Sequence, residues 1–335
     1  MRRLVTTLRG RWWPALGAIP LLLATGCGPV PTTNRFTYPT IERQPVRVSE
    51  AQGELVGTDL FSFGGFDARK ACCTPTDRAY RYHRGNGWTP LRPLPEKGIT
   101  HAGTATDGRS IWIAGGYRAN AAWTGQVFGT RKVWRYDIAT DTYWPMPRLP
   151  VARAGGQLEL LGGQLHYFGG TDLTRQHDVA DHWALDLAHR ERGWVRRASM
   201  HNGRHHMGSA VLRGKIWAIG GQHHHDGQLV VQDTVESYDA VTDTWTQRPS
   251  LPQGVSHIAN STFVLGGRIV VAGGETSHLH PVDDVWAYEP RPRRWVALTP
   301  LPSPKASGVA GPVGSRWVYT SGGWRGGWRA TPIRD

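Results

Sequence analysis

Beyond its first 26 residues, the chain has no apolar run long enough to span a bilayer and essentially no helical periodicity. The first absence argues against a membrane-spanning helix in that part, because such a helix needs about 20 consecutive apolar residues. The second argues against helical bundles and α/β folds, in which apolar residues recur every three to four positions. The sequence therefore predicts an all-β protein.

The sequence also lacks the short motifs of several enzyme classes. It contains no Cys-x-x-Cys pair, no His-Glu-x-x-His motif, no nucleophile elbow, no phosphate loop and no dinucleotide fingerprint. Its 3 cysteines are Cys27, Cys72 and Cys73. Because the last two are adjacent, a strained disulfide between them, metal binding and two free thiols all stay open.

Glycine and tryptophan, by contrast, are abundant, with 42 and 16 residues. A Gly-Gly pair recurs roughly every 50 residues, each time after an apolar run typical of a buried strand. The pairs are Gly64-Gly65, Gly115-Gly116, Gly169-Gly170, Gly220-Gly221, Gly273-Gly274 and Gly322-Gly323. An aromatic residue recurs seven positions before the proline of a Leu-Pro pair, at Trp88, Tyr143, Trp245 and Trp295, with a weaker copy at Trp194.

The most complete copy of the repeat runs from Arg204 to Pro252 and resembles a kelch repeat, one four-stranded blade of a β-propeller. The resemblance covers nearly all of the chain beyond Phe36. It implies a six-bladed propeller of antiparallel blades over residues 36–335. Only 12 residues follow Gly323, so the last blade lacks its fourth strand. The segment 36–39 is predicted to supply that strand, with Phe36 or Tyr38 at the aromatic position, and so to close the ring.

Residues 1–26 have the features of an export signal, with four arginines before an apolar stretch. The following Ala24-Thr25-Gly26-Cys27 resembles a bacterial lipobox, although leucine is usual where Ala24 stands. The resemblance implies cleavage before Cys27, lipidation of that cysteine and a tether over residues 27–35. The protein is then expected in the cell envelope, held by its lipid at the periplasm or cell surface. A plain secretory signal with a coincidental cysteine is the alternative.

The formal charge of +13 includes the four arginines of the signal, so the mature chain carries 35 basic and 26 acidic residues, or +9. A basic surface favours anionic partners such as acidic glycans, although a merely solvated surface is the alternative. Nucleic acid is not expected, because the chain has no long basic run.

Histidines gather around two Gly pairs. Eight of the 15 histidines fall in loops of blades four and five that the kelch resemblance places on one face. Converging imidazoles are typical of a transition-metal site, here zinc or copper. The predicted metal ligands are His223, His225, His278, His280 and Asp226. Alternatively, each histidine is a loop residue bonded to neighbouring backbone.

A second predicted set surrounds the central channel, where the first strand of each blade begins. Cations and histidines there would bind an anionic ligand, or would alternatively bond loop carbonyls between blades. The predicted ligand-binding residues are Lys97, His101, Arg153, Arg204, His205, His206, His257 and Lys305.

Two enzyme families with kelch propellers offer more distant resemblances. In sialic-acid mutarotases, a glutamate just after a Gly pair works with a nearby arginine, and Glu275 has that position. No arginine follows Glu275 within its loop. In galactose-oxidase-like propellers, histidines and tyrosines hold copper. This chain has histidines and Tyr117, which are the same residue types, but it shows no residue-by-residue match to that copper site. We therefore expect a monomeric, envelope-anchored propeller that binds a glycan or a surface protein, with a sugar-active enzyme as the alternative.

Overall fold

The computed structural model describes residues 34–67, 73–225 and 228–333. Several predictions concern positions outside these ranges: the signal of residues 1–26, the lipidation site Cys27, and the residues Cys72 and Asp226. Among the residues that the structure describes, there is no helix that is long and apolar enough to cross a membrane.

The described strands are short and are numbered in chain order. The first eleven are β1 (Phe36–Thr37), β2 (Val48–Ser49), β3 (Gln52–Val56), β4 (Asp59–Phe63), β5 (Phe66–Asp67), β6 (Ala79–His83), β7 (Gly87–Pro90), β8 (Ile99–Thr100), β9 (Gly103–Thr106), β10 (Ser110–Ala114) and β11 (Tyr117–Ala119). The next eleven are β12 (Gln126–Val127), β13 (Val133–Asp137), β14 (Thr142–Pro145), β15 (Gln157–Leu161), β16 (Gln164–Phe168), β17 (His182–Asp186), β18 (Trp194–Arg196), β19 (Gly208–Leu212), β20 (Lys215–Ile219), β21 (Gln222–His223) and β22 (Val230–Val231). The last eleven are β23 (Val235–Asp239), β24 (Thr244–Arg248), β25 (Thr262–Leu265), β26 (Arg268–Ala272), β27 (Glu275–Ser277), β28 (His280–Pro281), β29 (Val285–Glu289), β30 (Arg294–Ala297), β31 (Val309–Val313), β32 (Arg316–Thr320) and β33 (Gly327–Pro332). A 3-10 helix spans Arg190–Arg192.

Six of the described sheets have four strands, and every pairing within them is antiparallel. In order around the molecule they are β3-β4-β6-β7, β9-β10-β13-β14, β15-β16-β17-β18, β19-β20-β23-β24, β25-β26-β29-β30 and β31-β32-β33-β1. The second strand of each sheet is almost wholly buried, as the run Ile111–Ala114 shows. A strand covered on both faces is expected to be apolar throughout, and this explains the apolar run before each Gly pair. The prediction of an all-β chain of four-stranded antiparallel sheets is confirmed.

The first strands of the sheets surround a central tunnel. β3 contacts β9, β9 contacts β15, and the series continues through β19, β25 and β31 back to β3. Residues of all six strands line the tunnel, which has a volume of about 360 Å³. The six sheets therefore form a closed ring, with the first strand of each sheet facing the tunnel.

The N-terminal strand closes this ring, as predicted. Strand β1 pairs with β33 in the register Phe36 to Pro332 and Thr37 to Thr331. It is the fourth strand of the last sheet. Phe36 is 2% exposed and meets the ring of Trp317 edge-on at 6.4 Å between centroids.

The recurring aromatic residue ties each sheet to its neighbour. Trp245 donates its indole N–H to the backbone carbonyl of Ala198 at 2.9 Å, and the other markers make the same kind of bond. The donor and acceptor pairs are Trp88 with Glu42, Tyr143 with Arg92, Trp194 with Pro147, Trp295 with Pro249, and Tyr38 with Thr299. Tyr38 is thus the sixth marker, and its bond joins the two ends of the chain.

The second glycine of each pair is a further link between sheets. Its N–H donates to a carbonyl of the next sheet, in the pairs Gly65 to Ile99, Gly116 to Arg153, Gly170 to Arg204, Gly221 to Val255, Gly274 to Lys305 and Gly323 to Val48. Gly221 shows why glycine is required, since its φ is +98° and a Cβ there would lie 2.7 Å from the carbonyl oxygen of His205. The six acceptors mark equivalent positions around the ring.

Candidate functional site

Two residues after each of those acceptors, one residue per sheet meets the central axis. We call this set the axial ring, and its members are Glu50, His101, Gly155, His206, His257 and Ser307. All six have left-handed backbone conformations, with φ between 52° and 68°. For the five that are not glycine, this conformation is unfavourable by roughly 1–3 kcal/mol each, and it persists only where the surroundings fix it.

Backbone hydrogen bonds hold the axial ring together. The N–H of Gly155 donates to His101, and the N–H of His206 donates to Gly155, at 2.8 and 3.2 Å. On the other side, Ser307 donates to His257 and Glu50 donates to Ser307, at 3.0 and 3.3 Å. The side chains of the ring therefore sit on a rigid frame contributed by all six sheets.

A cavity of about 550 Å³ opens next to the axial ring. Its lining includes every ring member except Gly155. Further lining residues include Phe66, Cys73, Tyr117, Arg175, Gln222, His225, Glu275, His278, Leu279 and Lys305. Most of these follow a Gly pair, so the loops after second strands and the starts of first strands open on the same face. A cavity of this size is typical of a site for a small ligand.

Three histidines of the ring pack against one another. The centroids of the His206 and His257 imidazoles are 4.4 Å apart, and those of the His101 and His206 imidazoles are 4.7 Å apart. Burial, reinforced by the neighbouring imidazoles, lowers the pKa of His101 and His206 well below the usual value. Both imidazoles are therefore neutral at physiological pH and present lone pairs as well as N–H donors.

Glu50 lies among these histidines and was missed by the sequence prediction. Its carboxylate accepts a hydrogen bond from Ser307 and lies 3.7 Å from His257 Nε2 and 4.0 Å from His101 Nε2. Burial raises the pKa of Glu50 to about 7, although the bond from Ser307 acts in the opposite direction. The sequence does contain a signal for Glu50, because this residue precedes His101 by 51 residues and therefore occupies the same position in the repeat.

Glu275 and Lys305 line the wall of the cavity, as the sequence placed them. The Glu275 carboxylate lies 3.7 Å from His257 Nδ1 and accepts the N–H of Leu279 at 3.3 Å. The Lys305 ammonium lies 5.1 Å from the centre of the Trp324 ring, and burial lowers its pKa. The wall thus has one carboxylate and one ammonium within reach of a ligand in the cavity.

The other three predicted cations do not line the cavity. Arg204 is completely buried and donates to Glu236 and to backbone carbonyls. Arg153 pairs with Asp181 at 2.6 Å, and Lys97 donates to the carbonyl of Ala121. Neighbouring carboxylates and backbone carbonyls therefore hold these three cations, and the partners of Arg204 belong to its own sheet.

Only some of the histidines predicted as metal ligands line the cavity. His225 and His278 line the cavity, whereas His223 faces Asp178 at 3.5 Å and does not. The exposed His280 donates to the carbonyl of His278. His205 lies behind His206, where its Nδ1 bonds the Nδ1 of His206. The described atoms with the spacing of a metal site instead belong to Glu50, His206 and His257, all within 4.8 Å of one another.

Cys73 also lines the cavity, and it is disulfide-bonded. Of the interpretations left open by the sequence, a free thiol and a metal ligand therefore do not hold for this residue.

Comparisons with known proteins agree with the repeat. The Kelch motif family matches residues 203–252, which is the copy that the sequence shows best. Kelch-like protein terF of Aspergillus terreus is 26% identical over 333 residues, an alignment that covers 93% of this chain and 71% of that protein. Kelch-like protein 25 of Xenopus tropicalis is 28% identical over 204 residues, which are 59% of this chain and only 34% of the relative.

A solved structure, that of YjhT, has a similar fold. It superposes with a TM-score of 0.68 and covers 87% of this chain and 95% of its own. The two sequences are 15% identical, so this likeness shows the fold alone.

Proposed function

The chain is a kelch-repeat β-propeller, and on that premise we propose that it is an exported, envelope-anchored protein whose axial cavity binds the acidic end of a glycan. The observation that carries this proposal is the cavity of about 550 Å³ beside the axial ring, whose size suits a small ligand and whose lining combines apolar, polar and charged side chains. Fold alone does not set function in propellers, since the ligand is chosen by the loops.

The lining suits a sugar acid. Phe66, Leu279 and Pro281 offer apolar surface to the carbon face of a sugar ring, and Gln222 and Glu275 offer hydrogen-bonding groups. Lys305 and Arg175 supply positive charge for a carboxylate. The mature chain's excess of 35 basic over 26 acidic residues would attract an anionic polymer to this face.

Kelch proteins commonly bind protein partners, so the choice of a glycan needs a reason. A stable protein complex usually buries about 800 Å² on each partner, over a broad surface. The polar groups here converge in a recess of about 550 Å³, which admits one or two sugar units more readily than a folded surface. The cavity therefore favours a glycan end over a protein.

Calorimetric titration of the purified mature protein with acidic oligosaccharides and their neutral counterparts tests this function. We expect binding of the acidic set, and Lys305→Met should weaken it by roughly tenfold or more, because a hydrogen bond to a charged group contributes about 1.5–3 kcal/mol. Lys97→Met is the matched control and should leave affinity unchanged. Absence of binding by every oligosaccharide, or equal losses in both variants, would contradict the proposal.

A second candidate function is a sugar-active enzyme. The position of the Glu275 carboxylate on the cavity wall, beside the imidazole of His257, favours it, because a carboxylate there can exchange a proton with a bound sugar. The same titrations can be followed for mutarotation and for peroxide. Turnover that is lost in Glu275→Gln would favour this function over binding alone.

The proposed anchoring rests on the sequence pattern around Cys27, which lies outside the described residues. Lipidation of this cysteine would hold the propeller at the membrane through its N-terminal tether. In a bacterial host, Cys27→Ser should move the protein from the membrane fraction to the soluble fraction, while Thr37→Ala should leave it with the membrane. Equal membrane association of both variants would contradict a lipid anchor at Cys27.

A further inference from the structure

We propose that the axial ring holds one divalent transition-metal ion, with Glu50, His206 and His257 as ligands and His101 as the adjacent fourth donor. These residues come from four different sheets and meet only at the axis. The site differs from the set predicted from sequence, and it does not depend on which ligand the cavity takes. Its support is the way in which the structure fixes the proton on each imidazole.

At His101, the neighbouring hydroxyl decides which nitrogen carries the proton. Thr100 Oγ1 lies 2.8 Å from the backbone carbonyl of Glu50, which can only accept, so the hydroxyl proton is used there. The bond of 3.0 Å between Thr100 Oγ1 and His101 Nδ1 must then be donated by Nδ1. A neutral His101 consequently has its lone pair on Nε2, the nitrogen that faces Glu50.

His257 repeats this arrangement in another sheet. Ser256 Oγ points to the carbonyl of Glu275 and lies 2.9 Å from His257 Nδ1. The Glu275 carboxylate, 3.7 Å from the same nitrogen, also favours the proton there. The lone pair is again on Nε2, which faces Glu50 at 3.7 Å.

His206 has the same tautomer, but a neighbouring histidine fixes it instead of a hydroxyl group. The Nε2 of His205 lies 2.9 Å from the carbonyl of His224 and 3.3 Å from the carboxylate of Asp178, so this nitrogen carries the proton. In neutral His205, Nδ1 is therefore an acceptor, and the bond between the two Nδ1 atoms is donated by His206. This leaves the lone pair of His206 on Nε2.

That Nε2 atom is the independent sign of a missing ligand. His206 is 3% exposed, and its Nε2 has no hydrogen-bond partner among the described residues. A buried acceptor without a partner is unfavourable by about 1–3 kcal/mol and calls for an explanation. A metal ion bound to this nitrogen supplies one.

The surroundings match a metal centre in two further respects. Imidazoles that bind metals usually donate their other N–H to a fixed acceptor, as all three do here. Nitrogen and carboxylate donors suit zinc and copper, for which bonds of about 2.0–2.1 Å place neighbouring ligand atoms about 3.4 Å apart. The 3.7 Å between His257 Nε2 and Glu50 is already close to this separation.

Titration of the metal-free protein with zinc, and with cobalt(II) followed by absorption, tests the site. We expect one ion per chain and the intense visible bands of a low-coordinate cobalt site with nitrogen ligands. His206→Asn, in which asparagine tolerates the left-handed conformation, should weaken binding by more than about 100-fold. Ser256→Ala, which removes only the acceptor behind His257, should weaken it by about 10–100-fold.

His280→Ala is the control, because this exposed histidine belongs to the set predicted from sequence and does not line the cavity. It should leave zinc affinity unchanged. If neither ion binds, or if His280→Ala weakens binding as much as Ser256→Ala does, the proposed site is wrong. A melting temperature of each variant without metal shows that it is folded, so a loss of binding cannot be attributed to misfolding.

Discussion

Replacing Arg204 with methionine is expected to lower the free energy of unfolding by roughly 3–5 kcal/mol. The guanidinium is completely buried and donates to Glu236 Oε1 at 2.8 Å. It also donates to the backbone carbonyls of Gly220, Asn202 and Ala218. Methionine fills a similar volume but leaves the carboxylate of Glu236, which is 1% exposed, without its counter-charge. Urea denaturation at pH 7 measures the loss.

The pH dependence distinguishes this explanation from a simple packing defect. Burial raises the pKa of Glu236, but Arg204 and His201 outweigh it and hold the pKa below its usual value. The stabilisation is therefore complete at neutral pH and is lost as the pH falls through the folded-state pKa. Without the guanidinium, the buried carboxyl takes up a proton more readily, so the difference between wild type and variant should shrink on acidification.

Two further variants complete the test of Arg204. Lys97→Met removes an exposed cation from the same predicted set and should change stability by no more than about 0.5 kcal/mol. Arg204→Met combined with Glu236→Leu removes both charges and should be more stable than Arg204→Met alone. If Arg204→Met keeps its stability but loses ligand binding, the original prediction of a ligand contact holds instead.

Sequence reasoning misplaced Arg204 because it selected residues by charge. Three of the five positions equivalent to Arg204 hold the buried apolar residues Val48, Ile99 and Val255. A cation buried at this position must find internal partners, as Arg204 does, whereas Lys305 at the equivalent position reaches the cavity. Lys97 lies two residues before its equivalent position and was included only because it is a cation.

The fold, in contrast, could be predicted well, because its signals are local and repeated. Five of the six Gly pairs mark an approach of neighbouring atoms that leaves no room for a Cβ, and each aromatic marker makes one bond to the preceding part of the ring. The closing strand followed from counting, since the last copy was short. Between the two candidates for the aromatic position, only the structure shows that Tyr38 makes the bond to Thr299.

The candidate site lay partly beyond prediction for a physical reason. The periodic positions that form the axial ring are visible in the sequence, and three of its members, His101, His206 and His257, belong to the set predicted around the central channel. Glu50 was missed because only histidines and cations were considered at these positions. The proton positions on the imidazoles depend on hydroxyl groups and carbonyls from other sheets, such as Thr100 with the carbonyl of Glu50, and no single chain segment contains that information.

Closure of the ring depends on a short segment with many long-range contacts. Besides the pairing of β1 with β33, the N–H of Ile41 donates to Gly327 at 3.0 Å and that of Arg329 donates to Pro39 at 2.9 Å. Tyr38 donates to Thr299, and the ring of Tyr38 meets Trp317 at 5.7 Å. Every one of these contacts joins the two ends of the described chain.

A chain that begins at residue 45 should therefore lose about 10 °C or more in melting temperature, or should aggregate through the exposed edge of β33. Phe36→Ala alone should lower the free energy of unfolding by roughly 3–5 kcal/mol, because it empties a buried aromatic site against Trp317. Thr37→Ala, on the exposed side of the same strand, should change it by less than about 0.5 kcal/mol. A peptide of residues 34–44 added to the shortened chain should raise its melting temperature as the peptide concentration increases, since it binds only the folded ring. An unchanged melting temperature in the shortened chain would mean that the sheets hold their ring without this strand.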